Sequence, residues 1–376
     1  MDLGDYLIPP GKELINCPRD ELGQQIIFNR GDISVDFLNK GDLIMLGLPG
    51  FDKNQVVYDD SCTWIRKELY LLSSVDLGKA GLVDLGNLKP GNDLKETLWL
   101  LQSLIGILRE SGVFILLIGG SGILNLGILK SFENIRNDYS YTIVEPRFSL
   151  VDYREFELID FNKLNYYNLG SQSCFLTEVQ QAWIKDLHYG TCRLGKIRSD
   201  LQEAEPYIRN SHGCSISIDS VKYSDAPGQK DATPNGFYSE EVCQLARYAG
   251  MAGGLEIFAL MDYYPGHDQH MVTAKLLAQI LWYSMEGYLL RIQEHPYLDP
   301  HFRKFRVSYD PHQITFYKSD RTARWWMEVP LKGSKKNGVF PCNQSDYELA
   351  CQKELPERWL FYYQKLNLTD DKNGLA

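Results

Sequence analysis

Glu145, Asp219 and Asp262 each follow a short apolar run in this 376-residue sequence. Carboxylates at such positions can hold a hard cation or move a proton. His267-x-x-His270, with Asp262 and Asp268 close by, has the residue types of a metal site. Asp268 is better placed to cap the helix that follows, which leaves the two histidines to solvent. Ser217 and His212 share one short segment with no orienting acid in sight, so they do not read as a nucleophile and its base. His188 and His212 have no identifiable partner in the sequence and read as satisfied or solvated. Eight cysteines are scattered without a CxxC pair, and Cys214 opens an apolar run. Reduced core thiols are the expectation.

The elements that must position these groups alternate. Leu43–Leu48, Gly81–Leu88, Val113–Ile118, Tyr141–Val144, Tyr167–Leu169, Cys214–Ile218 and Leu255–Met261 are short, continuous and apolar, as buried strands are. Between them lie segments of helical period. In Asn92–Ser111, Leu94, Leu98, Leu101, Ile105 and Leu108 recur at steps of three and four, and Asp93 with Glu96 offers a capping pair. Ser239 with Glu240 and Glu241 opens another helix, and Met271–Ile292 forms a long one. Alternation of this kind predicts a mostly parallel sheet covered on both faces, a three-layer α/β/α architecture.

After His295 the texture changes. Lys304–Tyr309, Ile314–Tyr317 and Arg324–Val329 predict an antiparallel meander, with turns at Asp310-Pro311 and Ser319–Thr322. A helix within Ser345–Leu366 follows, delayed or broken at Pro356. The expected division is therefore residues 1–295, the α/β domain, and 296–376, a small α+β extension packed on it.

Hydrophobic residues make up 44% and charged residues 23%, as in a globular chain, and the net charge of −10 disfavours whole-molecule attraction to nucleic acid or anionic membrane. Met1–Arg19 lacks the pattern of a secretory signal, and four glycines interrupt the apolar stretch Val113–Leu129, so a cytoplasmic protein without a membrane span is expected.

Five strand ends carry a resemblance to a known family. Leu46-Gly47-Leu48-Pro49 resembles a first strand with its G-x-P turn, and Val83-Asp84-Leu85-Gly86-Asn87 a D-x-G segment. Gly119-Gly120-Ser121-Gly122-Ile123 stands where the family has G-G-D-H-S, and Glu145-Pro146-Arg147-Phe148-Ser149 where it has D-A-H-x-D. Ser215-Ile216-Ser217-Ile218-Asp219 resembles S-x-D-x-D, followed by the A-P-G turn at Ala226–Gly228 and the T-P turn at Thr233-Pro234. Asp262 falls where the family has a glutamate. In order and spacing, from about Asp42 to Gly287, these motifs are similar to those of the arginase–agmatinase–formiminoglutamase family, the ureohydrolases.

That resemblance implies an arginase-like fold and, in the family, a pair of divalent cations, usually manganese, that activate a water for attack on a guanidinium or amidine carbon. The six matching ligand positions here are Gly122, Glu145, Arg147, Ser149, Ser217 and Asp219. Two are carboxylates, and an arginine stays protonated and cannot ligate a metal. The manganese pair is expected to be lost, with no cofactor in its place. Ser121, Thr233 and Asp262 complete the remnant of the cavity. Arg147 has two readings: its guanidinium neutralises Glu145, Asp219 and Asp262, or it points to solvent beside a filled cavity.

From His301 to Phe340, nine basic residues stand against three acidic ones, a surplus of +6 in a chain of −10. Phe316, Tyr317, Trp325 and Trp326 interleave with them. This surface is expected to dock on the main domain, a second subunit or a protein partner rather than nucleic acid. A homo-oligomer is compatible with the family. The function expected is a non-catalytic binding or scaffold role. The competing reading is hydrolysis of linear amidine or guanidine C–N bonds through a rebuilt site, or with a metal held by Glu145, Asp219 and Asp262.

Overall fold

The computed structural model describes residues 3–11, 21–52, 55–57, 60–309, 312–334 and 336–368. In chain order the first part contains β1 (Leu7–Ile8), β2 (Ile26–Phe28), β3 (Leu43–Gly47), β4 (Gly50–Asp52), β5 (Gln55–Val57), α1 (Ser61–Tyr70), β6 (Leu82–Leu88), α2 (Leu94–Glu110) and β7 (Phe114–Ile118). Then come α3 (Asn125–Glu133), β8 (Tyr139–Val144), β9 (Leu164–Ser171), α4 (Glu178–Asp186), β10 (Gly190–Arg193), α5 (Leu194–Ser199), α6 (Glu205–Arg209), β11 (Gly213–Ser217), α7 (Ser239–Met251), β12 (Ile257–Met261) and α8 (Val272–Leu289). The extension holds β13 (Phe302–Tyr309), β14 (His312–Ser319), β15 (Trp325–Val329), β16 (Gly338–Cys342), α9 (Gln344–Cys351) and α10 (Glu357–Leu368).

The main sheet runs β1-β6-β3-β7-β12-β11-β8-β9-β10, with β2 also on β6; every pairing in it is parallel except β1 on β6. All seven predicted strands are present. The edge strands β1, β2 and β10 escape the sequence reading because they are too short to show a period. Strand β7 shows why a continuous apolar run forms a central strand. Phe114, Leu116 and Ile118 pack into one hydrophobic cluster, and Ile115 and Leu117 into the cluster on the opposite face. Helices α2 and α3 cover the second face, and α1, α7 and α8 the first. The Asp93 carboxylate caps α2 by accepting from Glu96 N at 2.8 Å. Helices α7 and α8 approach so closely that a Cβ on Gly250 would lie 2.1 Å from Ser284 O, and one on Gly287 2.3 Å from Arg247 O.

The chain leaves β7 and skips two places to β8, then later fills the gap with β11 and β12. The carboxyl ends of β7, β12, β11 and β8 therefore lie side by side. Such a switch point is where doubly wound sheets form their crevices. No helix of the described residues is long and apolar enough to cross a membrane; Val113–Leu129 folds as strand, turn and the start of α3.

The C-terminal meander has the predicted antiparallel order, extended by β16. The turn at Asp310-Pro311 lies outside the described residues. Pro356 separates α9 from α10. Phe316, Tyr317, Trp325 and Trp326 are all at most 6% exposed, so they offer no stacking platform to a nucleic acid base. Phe316 and Trp325 belong to the same cluster as Tyr207 and Ile208 of α6, so the core runs unbroken from sheet to extension. Three of the nine basic residues pair locally: Arg303 with Asp320, Lys304 with Glu328 and Arg321 with Asp299. Arg324 and Arg358 reach into the main domain, to Glu205 at 3.1 Å and Glu203 at 3.2 Å.

Candidate functional site: a cavity of three carboxylates

Beyond the strand ends lies a cavity of about 180 Å³, whose wall includes Glu145, Arg147, Ser149, Ser217, Asp219 and Asp262. Six of the nine residues singled out from sequence thus come together in its wall. Gly122 joins them through its amide. It donates to Asp262 Oδ1 at 2.6 Å, and the Ser217 hydroxyl donates to Asp262 Oδ2 at 2.7 Å. Asp262 can present both oxygens this way because its backbone turns at φ 66°, a left-handed conformation that aspartate tolerates better than most residues. Its own amide donates to Gly120 O at 2.8 Å, which fixes the turn.

Glu145 leaves the end of β8 and is 5% exposed. The Ser149 hydroxyl donates to its Oε2 at 2.6 Å and the Ser149 amide to its Oε1 at 3.2 Å. From β9 the Tyr166 hydroxyl adds a bond to Oε1 at 2.9 Å. Burial pushes the Glu145 carboxyl up to about 7, against the pull of these donors. Asp219 and Asp262 are raised as well, foremost by burial; the charge of Asp262 adds to the effect on Asp219, and Arg147 opposes it. Asp219 Oδ1 is buried with no hydrogen-bond partner among the described residues.

Arg147 corrects one expectation. Its Nη1 stands 4.0 Å from Asp219 Oδ2 and 3.9 Å from Asp231 Oδ2, and its guanidinium lies over the Phe175 ring at 4.8 Å. It forms no ion pair with Glu145 or Asp262 among the described residues. With 35% of the side chain exposed, it covers the rim of the cavity instead of neutralising the triad. Two more predicted residues lie outside the cavity wall. The Ser121 hydroxyl bonds both N and O of Phe51, which ties the β4 segment to the end of β7. The Thr233 hydroxyl donates to Asn235 O within its own turn. Asp84 of the D-x-G segment is also structural, fully buried and gripped by the Arg66 guanidinium at 2.7 and 3.0 Å. Asp268 caps α8 as expected, accepting from Thr273 N and Ala274 N, and His267 and His270 are exposed.

Sequence reasoning missed Lys230, Asp231, Tyr153 and Tyr264 in the cavity wall. Lys230 is the cation that acts electrostatically on Asp262. It directly follows the Ala226–Gln229 turn, and that position was the available signal. Tyr166 was out of reach, because adjacency of β9 to β8 is a matter of sheet order.

No protein-family profile matches the chain, and no curated protein sequence does. Solved structures do. Formimidoylglutamase from Bacillus subtilis superimposes with a TM-score of 0.59 at 17% identity, covering 68% of this chain and 89% of that one. Formiminoglutamase from Trypanosoma cruzi, solved with Mn2+, gives 0.60 at 15% identity, over 67% of this chain and 95% of its own. Proclavaminate amidino hydrolase from Streptomyces clavuligerus gives 0.55 at 18% identity, over 67% and 93%. The chain therefore has the arginase-like, ureohydrolase fold.

The residues present do not fit a manganese pair. Among the described residues no group of three or more His, Cys, Asp or Glu side chains is arranged to hold a metal ion. No imidazole lines the cavity. Where the resemblance implies ligands, Gly122, Ser149 and Ser217 supply hydrogen-bond donors to the remaining carboxylates, and Arg147 faces Asp219. A side chain at Gly122 would press on Asp262. Its Cβ would lie 3.1 and 3.3 Å from the two Asp262 oxygens.

Proposed function

We propose that this ureohydrolase-fold protein does not carry out two-metal hydrolysis and acts as a binding or scaffold protein. The observation that carries this reading is the grip on Asp262, whose two oxygens are occupied by Gly122 N–H and Ser217 Oγ–H. A carboxylate held by donors is satisfied without a metal. A second reading, hydrolysis of a linear C–N bond through a rebuilt site, draws on Glu145. A carboxyl pushed up to about 7 in a cavity suits proton transfer near neutral pH. Assays of urea and formamide release from arginine, agmatine and formiminoglutamate, with manganese added and with it chelated, separate the two. The non-catalytic reading requires blank rates in both conditions. Turnover that survives chelation and is lost in Glu145→Gln supports the rebuilt site, and turnover that needs manganese contradicts both.

A further inference from the structure

A cavity of about 370 Å³ lies away from the carboxylate triad, where the C-terminal extension meets α6 and α7. That volume is in the range of small-molecule sites. Its wall brings together Arg209, Lys318 and Arg324, with Glu205 as the one acid. Glu205 stands between the two guanidinium groups: Arg209 Nε donates to its Oε2 at 3.1 Å, and Arg324 Nε lies 3.1 Å from its Oε1. Lys318 lies over the Trp325 ring at 5.1 Å and forms no ion pair among the described residues. Three cations meet one carboxylate in the wall, and with Glu294 acting on Arg324 from behind it the balance is still positive. Glu294 stands behind this wall, accepts from the Ser319 and Thr322 hydroxyls, and lines the neighbouring cavity instead.

A second observation is that the wall holds buried polar atoms without a hydrogen-bond partner among the described residues, Arg209 Nη1 and Glu205 Oε1. Arg209 has a side chain only 8% exposed, donates from Nη2 to Trp325 O and Cys342 O, and leaves Nη1 buried with no partner among the described residues. Buried donors of a guanidinium are rarely left unpaired without a reason. The first residue of α9, Gln344, and its cap, Asn343, also line the cavity, and that turn is closed by a capping box in which Asp346 accepts from Asn343 N at 2.8 Å. Tyr248, Met251 and Trp325 supply an apolar side.

We infer that this cavity binds a phosphate dianion, either free or as the monoester of a small molecule. The positive balance suits an anion, and the guanidinium donors and ammonium match the several acceptor oxygens of a phosphate. Burial lowers the Arg324 guanidinium below its ordinary range, so an anion here relieves a cost the protein already carries.

Calorimetry with the full chain tests this, using inorganic phosphate and glycerol 2-phosphate as probes at matched ionic strength. Saturable binding of either is expected. Tighter binding of the ester identifies a ligand with an organic body, and equal affinity identifies free phosphate. Lys318→Glu should weaken binding by more than about tenfold, and Lys318→Gln, which removes the charge without reversing it, by less. Lys230→Gln, at the carboxylate cavity, should bind as the parent does. No saturable heat at millimolar phosphate overturns the inference. So does parent-like binding by Lys318→Glu, or loss of binding in Lys230→Gln.

Discussion

The Gly122 amide and the Asp262 carboxylate stand 2.6 Å apart, donor to acceptor, at adjacent strand ends of the central sheet. This contact exchanges roles at a position where the ureohydrolase resemblance implies a metal ligand. Ser149 and Ser217 make the same exchange toward Glu145 and Asp262. Glu145 and Asp262 are each met by hydrogen-bond donors at positions where the resemblance implies ligands.

Gly122→His puts back the side chain that the resemblance implies. With Cβ already 3.1 Å from Asp262 Oδ2, the ring must displace that carboxylate. Overpacking of this kind costs about 1–3 kcal/mol. Urea denaturation should show that loss, and an unchanged midpoint would mean that the cavity has room to spare.

Glu145 makes stability depend on pH in the unusual direction. Its folded-state value of about 7 lies above the ordinary 4.5, so between these two values the native state binds more protons than the unfolded state. Its contribution is present below about 4.5 and is lost as pH rises through 7. Glu145→Gln should therefore gain about 2 kcal/mol over the parent at pH 8, with the gain disappearing near pH 5. Denaturation curves at the two pH values decide it; equal differences at both would contradict the assignment.

Arg147 and Arg66 should respond very differently to loss of charge. Arg147 is 35% exposed and 4.0 Å from Asp219, so Arg147→Met should cost less than about 1 kcal/mol. Arg66 is 1% exposed and bonded to Asp84, Asn87 and Gly86, so Arg66→Met should cost about 3–5 kcal/mol. Thermal melts of the two variants side by side give the comparison. A larger loss in the Arg147 variant would restore it as the counter-charge of the triad.

Much of the fold was legible because its signals are local. Leu98, Leu101, Ile105 and Leu108 repeat at the helical period and are all buried in α2. The run Phe114–Ile118 is buried on both faces, as a continuous apolar strand must be. Strand β10, Gly190–Arg193, was not legible: it is four residues long, with Thr191 and Arg193 exposed. The site divides the same way. Glu145, Asp219 and Asp262 were visible at predicted strand ends. Arg147 was left with two readings, because residue spacing says where a side chain starts and not which of several acids it meets. Tyr166 and Lys230 came in from a neighbouring strand and a loop.

Deleting residues 296–376 should expose the cluster that Phe316 and Trp325 share with Tyr207 and Ile208, and leave Glu203 and Glu205 without Arg358 and Arg324. Loss of soluble protein into aggregates is expected on size exclusion with light scattering. A monodisperse fragment 1–295 would show that the extension is dispensable to the core.

Manganese stoichiometry tests the central claim most directly. The full chain, incubated with excess manganese and passed through gel filtration, is analysed for bound metal. Glu145 and Asp262 are already held by Gly122, Ser149, Ser217 and Tyr166, which leaves Asp219 alone among the three carboxylates and predicts manganese at background level. One or two equivalents per chain would show that the cavity still binds metal, and the exchange of ligands for donors would be wrong.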